Sequence, residues 1–196
     1  MTRNLQEHIL QTASALFYSQ GIKSTGIDAI VKATGVAKMS LYKYYSSKDE
    51  LVLAHLHKSS ADMQVMLENA LLAAGDQPKF KLLAIFKMFA EFAAAPDFRG
   101  CPFVNALAEY ADLDSPVRES AAEFYQQFTD LLTCLAKQMD AAQPQQLAQQ
   151  LTLLVVGATV NEQIQRQSGA ITAAYAAAEV LIDQQINASK SQAISQ

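Results

Sequence analysis

Apolar residues recur along this chain at helical spacing almost from end to end, and no segment alternates apolar and polar positions as a half-buried strand would. Ile9, Ala13, Leu16 and Phe17 share one face of a first helix from about Asn4 to Ser19, which Gly21 ends. Thr25, with Asp28 three residues on, has the spacing of a capping box. A second helix is expected to start there, with Ile27, Ile30, Val31 and Ala33 on its inner side and Gly35 as its stop. Val36 follows as a buried plug. A helix of barely two turns, Lys38 to Tyr45, then buries Leu41 and Tyr45 at i, i+4 spacing. Ser47 and Glu50 form a further capping box, which opens a long helix through Leu51, His55, Met63, Met66, Leu67 and Leu71 to Gly75.

The rest of the chain continues in the same period. A phenylalanine-dense helix runs from about Pro78 to Ala95, and a short one from Pro102 to Tyr110. Ser115 and Pro116 read as cap and first residue of the next helix. Pro144 opens another, apolar on nearly all sides from Leu151 to Val160, and after Gly169 an alanine-rich helix runs from Ala170 to about Ile186. The expected fold is all-α, with a small helical head over 1–50, a larger helical body over 51–188 and a polar tail, 189–196, that frays.

A helix that is apolar all round must be covered all round. The last two helices cannot both be central in a chain of 196 residues, so a second copy is expected to cover them. That predicts a homodimer with a four-helix interface at Leu151, Leu154, Val155, Ala158, Tyr175, Ala178 and Ile182.

Composition narrows the function. Gly (7) and Pro (5) are scarce, in keeping with helices. No apolar run reaches the roughly 18 residues a membrane span needs, and MTRNLQEHILQ lacks the apolar core of a signal peptide, so a cytoplasmic location without a membrane partner is expected. The two cysteines, Cys101 and Cys134, have neither metal-ligand nor disulfide spacing. His55 and His57, two apart on a helix, face different ways and cannot chelate one metal. Glu109, Asp112 and Asp114 read as solvated acids and caps. There is no phosphate-cradling glycine loop and no nucleophile–base pair, which argues against an enzyme, and no cofactor or metal is expected.

Charge gives the chain two ends. Residues 1–60 carry seven Lys/Arg against four acids, or +3, and the remainder carries eight against fifteen, or −7, which together make the net −4. A basic head on an acidic body suits a protein that docks on nucleic acid by one end. The helix over 38–45 supplies the means. With Leu41 and Tyr45 inside, it turns Lys38, Met39, Ser40, Tyr42, Lys43 and Tyr44 outward, a mixture of charge and hydroxyls that suits phosphates and base edges in a major groove. Tyr42 is a DNA contact or an ordinary surface aromatic. Lys48, in the first turn of the long helix, is placed for a phosphate. Lys43 is a general electrostatic contributor or simply solvated. Thr25 is expected both to cap its helix and to offer its N–H or hydroxyl to phosphate.

These residues resemble the DNA-binding domain of the tetracycline-repressor (TetR) family of transcriptional regulators. The likeness covers about the first 55 residues: Ala13, Leu16, Phe17 and Gly21, then Ile30, Ala33, Gly35, Val36, Leu41, Tyr42, Tyr45, Lys48, Asp49, Glu50 and Leu51. Two positions depart from the commonest pattern, Ala37 where a capping serine is frequent and Met39 where glycine is frequent. The resemblance implies a homodimeric repressor that binds a palindromic operator in double-stranded DNA and is released by a small-molecule effector.

An apolar or amphipathic effector needs a mostly apolar site with few polar anchors. Candidates are Phe86, Phe89, Phe103, Tyr110, Phe124 and Phe128, with Asn105 or Asn161 orienting the ligand. Asn161 and Glu162 interrupt an apolar helix and sit in that site or at the dimer rim. Cys101, beside Arg99 at a helix start, reads either as a small buried filler or as a sensor thiol with a lowered pKa. Two rival classes remain: an enzyme, and a DNA-binding head whose body is a protein-interaction or thiol-sensing module.

Overall fold

Prolines and glycines set the helix ends, as their backbone chemistry requires. In the computed structural model, which describes residues 2–194 and side chains from 4 to 189, the helices are α1 (Thr2–Gln20), α2 (Ile27–Thr34), α3 (Lys38–Tyr44), α4 (Lys48–Ala73), α5 (Pro78–Ala94), α6 (Pro102–Glu109), α7 (Pro116–Gln138), α8 (Pro144–Ile164) and α9 (Ala170–Ile194). Four of them open on proline, where a missing N–H costs nothing. Gly35 closes α2 in the left-handed region at φ 70°, its N–H donating to the Val31 carbonyl at 3.0 Å. The expected all-α architecture is observed, with boundaries within about two residues except at the end. There α9 continues to Ile194, over most of the segment expected to fray, and residues 195–196 lie outside the described residues.

The capping chemistry is partly as expected. The Glu50 N–H donates to Ser47 Oγ at 3.1 Å, but the Glu50 carboxylate reaches past Ser47 to the N–H and hydroxyl of Ser46, each at 2.6 Å. Those two bonds hold its carboxyl below the usual range. The first box does not form. Gly26, without a side-chain cap, precedes α2. Thr25 is fully buried and donates its hydroxyl to the carbonyls of Gly21 (2.7 Å) and Leu16 (3.3 Å), stitching the end of α1 to the turn. Asp28 is thereby left to pair elsewhere. Ala33 is exposed and Val36 half-buried, so the inner stripe of α2 is narrower than its apolar residues suggest.

Packing divides the chain into two compact units. One joins the chain up to Asp62 with Cys101–Phe124, and the other joins Met63–Gly100 with the chain from Tyr125 on. α4 and α7 each contribute to both. The first unit buries Ile9, Ala13, Phe17, Ile30, Leu41 and Leu56. In the second, α5, α8 and α9 pack on one another.

Most of the expected dimer residues lie inside that three-helix stack. Leu151, Ala178 and Ile182 are 0 % exposed, and Val155 and Ala158 are buried too, all within a single chain. A helix apolar all round has an inner stripe as well as an outer one, and these residues form the inner stripe. Leu154 and Tyr175 are half-buried. Among the described residues of these two helices, the large apolar side chains left exposed are Leu153 and Ile164 on α8 and Val180 on α9. Glu162 is also explained. Its buried carboxylate accepts from the Ser168 N–H (3.2 Å), the Ser168 hydroxyl (2.8 Å) and the Ala170 N–H (3.1 Å), and so caps α9 from the end of α8.

His55, in α4, is buried against the Phe17 ring at 5.7 Å, and its Nδ1 has no hydrogen-bond partner among the described residues. Burial, with the Lys58 charge adding to it, lowers its pKa to about 4. Between pH 6.5 and about 4 the unfolded chain therefore binds a proton that the native fold refuses. Stability should fall as pH drops through that window, by at most about 3 kcal/mol, and this group should cause no further loss below it. Urea unfolding at a series of pH values, repeated with His55→Leu, tests this. A wild-type pH slope that the substitution does not reduce would contradict it.

Candidate nucleic-acid interface

A helix as short as α3 takes its orientation from its neighbours. The Ala37 carbonyl accepts from the N–H groups of Ser40 (2.8 Å) and Leu41 (3.2 Å) to start it, and no side chain caps it. Leu41 at 0 % and Tyr45 at 5 % exposure pin its inner side, as expected. On the outer side Met39 is 81 % exposed, Tyr42 is 39 % exposed and Lys43 is exposed, while Ser40 and Tyr44 are half-buried. Lys38 is also exposed, and its Nζ sits 2.8 Å from Asp28 Oδ1 of α2. The hydrogen bond and charge of Asp28 raise the lysine pKa. An exposed pair of this kind contributes little to stability.

Lys48 opens α4 and is half-buried. Two acids share its turn, Asp49 and Glu50, and both are engaged: Asp49 by the Tyr110 hydroxyl at 2.8 Å, Glu50 by Ser46. The first turn therefore keeps its positive end with its own carboxylates turned onto protein donors. Thr25 is not part of this exposed surface. It is fully buried, its hydroxyl is used as described above, and its N–H donates to the Ile22 carbonyl at 3.3 Å.

Two residues that hold the head together escaped the sequence reading. Glu109, expected to be a solvated acid, accepts from the Ile22 N–H at 2.9 Å and the Lys23 N–H at 2.5 Å, the turn between α1 and α2. Gly21 in that turn has φ 91°, and a Cβ on it would meet Glu109 Oε1 at 3.3 Å, so the turn needs glycine for conformation and for room. Tyr110, expected in the effector pocket, instead binds Asp49. Burial, then the bond to Asp49, raises its pKa. Arg118 of α7 donates to the carbonyls of Tyr110 (3.1 Å) and Leu107 (3.5 Å), fixing the end of α6. The available signal was the orphaned N–H groups after Gly21, which needed an acceptor from somewhere. Nothing local said it lies 87 residues away.

The expected pocket residues fall in both units. Phe103, Asn105, Tyr110 and Phe124 belong to the head's unit, and Phe86, Phe89, Phe128 and Asn161 to the other. Phe103 stacks on Phe124 at 3.8 Å, and Phe89 meets Phe128 edge-on at 5.9 Å. Phe86, Phe89, Phe103 and Phe128 are all buried core. Asn105 is half-buried, and Asn161 is exposed and bonded to the Gly157 carbonyl of its own helix at 2.8 Å. A cleft of about 480 Å³ opens instead between α4 and α5, lined by Met66, Asn69, Ala70, Lys87, Met88 and Glu91 among others. Cys101 is buried immediately before α6, and Arg99, two positions earlier in the chain, is exposed. Among the described residues no group of three or more His, Cys, Asp or Glu is placed to hold a metal ion, and no helix is long and apolar enough to cross a membrane.

The sequence pattern of bacterial regulatory proteins of the tetR family matches residues 9–55, the segment holding α2 and α3. The pattern of the tetracyclin repressor-like C-terminal domain matches residues 78–178. The chain belongs to the TetR family. A TetR-family transcriptional regulator from Streptomyces coelicolor has the same fold, with a TM-score of 0.89 at 27 % identity over 94 % of this chain and 97 % of that one. The chain is 29 % identical to an uncharacterised helix-turn-helix regulator of Lactococcus lactis, over 71 % of this chain and 70 % of the other. It is 26 % identical to the transcriptional repressor NemR of Escherichia coli, over 82 % and 85 %. This TetR-family protein is a DNA-binding helix-turn-helix transcriptional regulator, and the family is not an enzymatic one.

Removing the Glu109 carboxylate strips two N–H groups of the α1–α2 turn of their acceptor. Glu109→Ala should destabilise the head by about 1–2 kcal/mol. Amide exchange should speed up at Ile22 and Lys23 before it does so in α8 or α9, and Glu109→Gln, which keeps one acceptor oxygen, should recover part of the loss. Unchanged exchange at both amides in the alanine variant would rule the contact out.

Proposed function

We propose that this TetR-family protein is a repressor that binds a palindromic operator as a homodimer and is released by a small apolar or amphipathic effector. The outward face of α3 carries the reading: Leu41 and Tyr45 are anchored inside, and Met39, Tyr42 and Lys43 stand in solvent. Lys38, Ser40 and Tyr44 flank them and Lys48 supplies a phosphate site at the start of α4. A surplus of seven acids beyond residue 60 keeps the rest of the chain off phosphate. That a relative is named a repressor supports the sign of regulation.

The homodimer would use the outer stripe of α8 and α9. Leu153, Gly157 and Ile164 follow one another at i, i+4 and i+11, and Val180 is the large apolar side chain left exposed among the described residues of α9. A second copy about a two-fold axis covers such a stripe with its own. For the effector, the cleft beside Met66 and Met88 replaces the aromatic set. Its volume lies in the range of small-molecule sites, its methionines adapt to an apolar ligand, and Asn69, Lys87 and Glu91 offer polar anchors. α4 lines that cleft and also carries Lys48. It is one unbroken helix of 26 residues, about 39 Å long. A ligand that binds the DNA-incompetent arrangement more tightly releases operator through that helix, and operator weakens the ligand by the same factor.

Fluorescence anisotropy on a duplex selected from a randomised library tests the reading. Tyr42→Ala should cost about ten-fold or more in operator affinity with helicity and assembly unchanged. Lys48→Ala should weaken all sequences alike and reduce the salt slope by about one. Parent-like operator binding by Tyr42→Ala would show the docking face to be misplaced. For assembly, Leu153→Glu should give a folded monomer, whereas Leu151→Glu should unfold the chain because it buries an unpaired charge. An intact protein that sediments as a monomer at micromolar concentration contradicts the homodimer.

A further inference from the structure

We propose that Met39 reads a thymine methyl group in each operator half-site, and so sets part of this regulator's sequence preference. The inference rests on α3 being the groove helix. Among the described residues up to Asp62, Met39 and Tyr42 are the large apolar or aromatic side chains left exposed, and Met39 is much the more so at 81 %. They stand at i, i+3 on the same side of α3, so they form one apolar patch within an otherwise polar face. Their neighbours have other chemistry. Lys38 is paired with Asp28, Leu41 is inside, and Ser40 and Lys43 offer a hydroxyl and a charge.

Of the groups that a base pair presents in the major groove, all but one are hydrogen-bond donors, acceptors or, at cytosine C5, a bare C–H. The exception is the thymine C5-methyl. A thioether donates no hydrogen bond and accepts only weakly, so Met39 gains nothing by approaching a base edge or phosphate. It gains by covering a methyl. An unbranched side chain with three rotatable bonds can follow the groove to reach one. Tyr42 has a hydroxyl to spend on phosphate, which leaves the apolar contact chiefly to Met39. Taking one methyl out of water is worth about a four-fold change in affinity per half-site, or about fifteen-fold over two.

The test uses the full chain and a duplex that it selects from a randomised library. Each thymine in turn is replaced by deoxyuridine, which lacks only the methyl, and Kd is measured for the parent and for Met39→Ala. Because Met39 is exposed, the variant keeps its fold, and circular dichroism checks that it does. The expected result is one position per half-site at which deoxyuridine costs the parent about four-fold and costs Met39→Ala nothing. Tyr42→Ala should retain the penalty at that position. A parent indifferent to deoxyuridine throughout overturns the proposal, as does a Met39→Ala variant with an undiminished penalty. A parent that selects no sequence at all overturns the groove-docking reading beneath it, an outcome distinct from either.

Discussion

Seven residues of helix have almost no stability of their own in water, so everything α3 does depends on what it is packed against. The burial of Leu41 and Tyr45 fixes which side faces in, and therefore which residues are left in solvent. The surrounding chemistry serves that constraint. Gly35 turns the chain sharply enough for α2 and α3 to meet, and Thr25 ties the end of α1 to the turn before α2. Glu109 holds the same turn from α6, and Tyr110 holds the first turn of α4. The DNA-binding head is thus larger than its contiguous sequence, because part of its support arrives from Cys101–Phe124.

The other unit solves a different problem, that of covering helices with few polar positions. α5, α8 and α9 bury one another's inner stripes, and the carboxylate inside this stack, Glu162, is satisfied by three donors at the start of α9. An unpaired carboxylate there would cost several kcal/mol. As a cap it fixes the angle between α8 and α9 instead. Arg166 works similarly on the loop after α5, donating to the carbonyls of Phe98 (3.0 Å) and Ala95 (2.8 Å) while lying over the Phe98 ring. With the inner stripes used up, the outer one of Leu153, Gly157 and Ile164 is left exposed.

Sequence alone was enough for what depends on local spacing. Helix period, proline starts, the Gly35 stop, the Ser47 cap and the inward pair Leu41/Tyr45 involve residues within a few positions of each other, where backbone geometry leaves little choice. The exposed set of α3 follows from that pair, so which of its side chains stand in solvent was legible before any coordinates. What sequence could not decide was which of two satisfied arrangements a residue adopts when its partner is distant. Thr25 had the spacing of a cap, but the carbonyl of Gly21 took its hydroxyl. Glu109 looked like surface acid until the turn at Ile22 supplied two donors. The aromatic residues were rightly apolar, yet periodicity cannot tell a cavity wall from a filled core. Nor can it tell the inner stripe of α8 from the outer one when both are apolar. Those choices belong to tertiary packing, which alone decides which surfaces and which hydrogen-bonding groups are left unmatched.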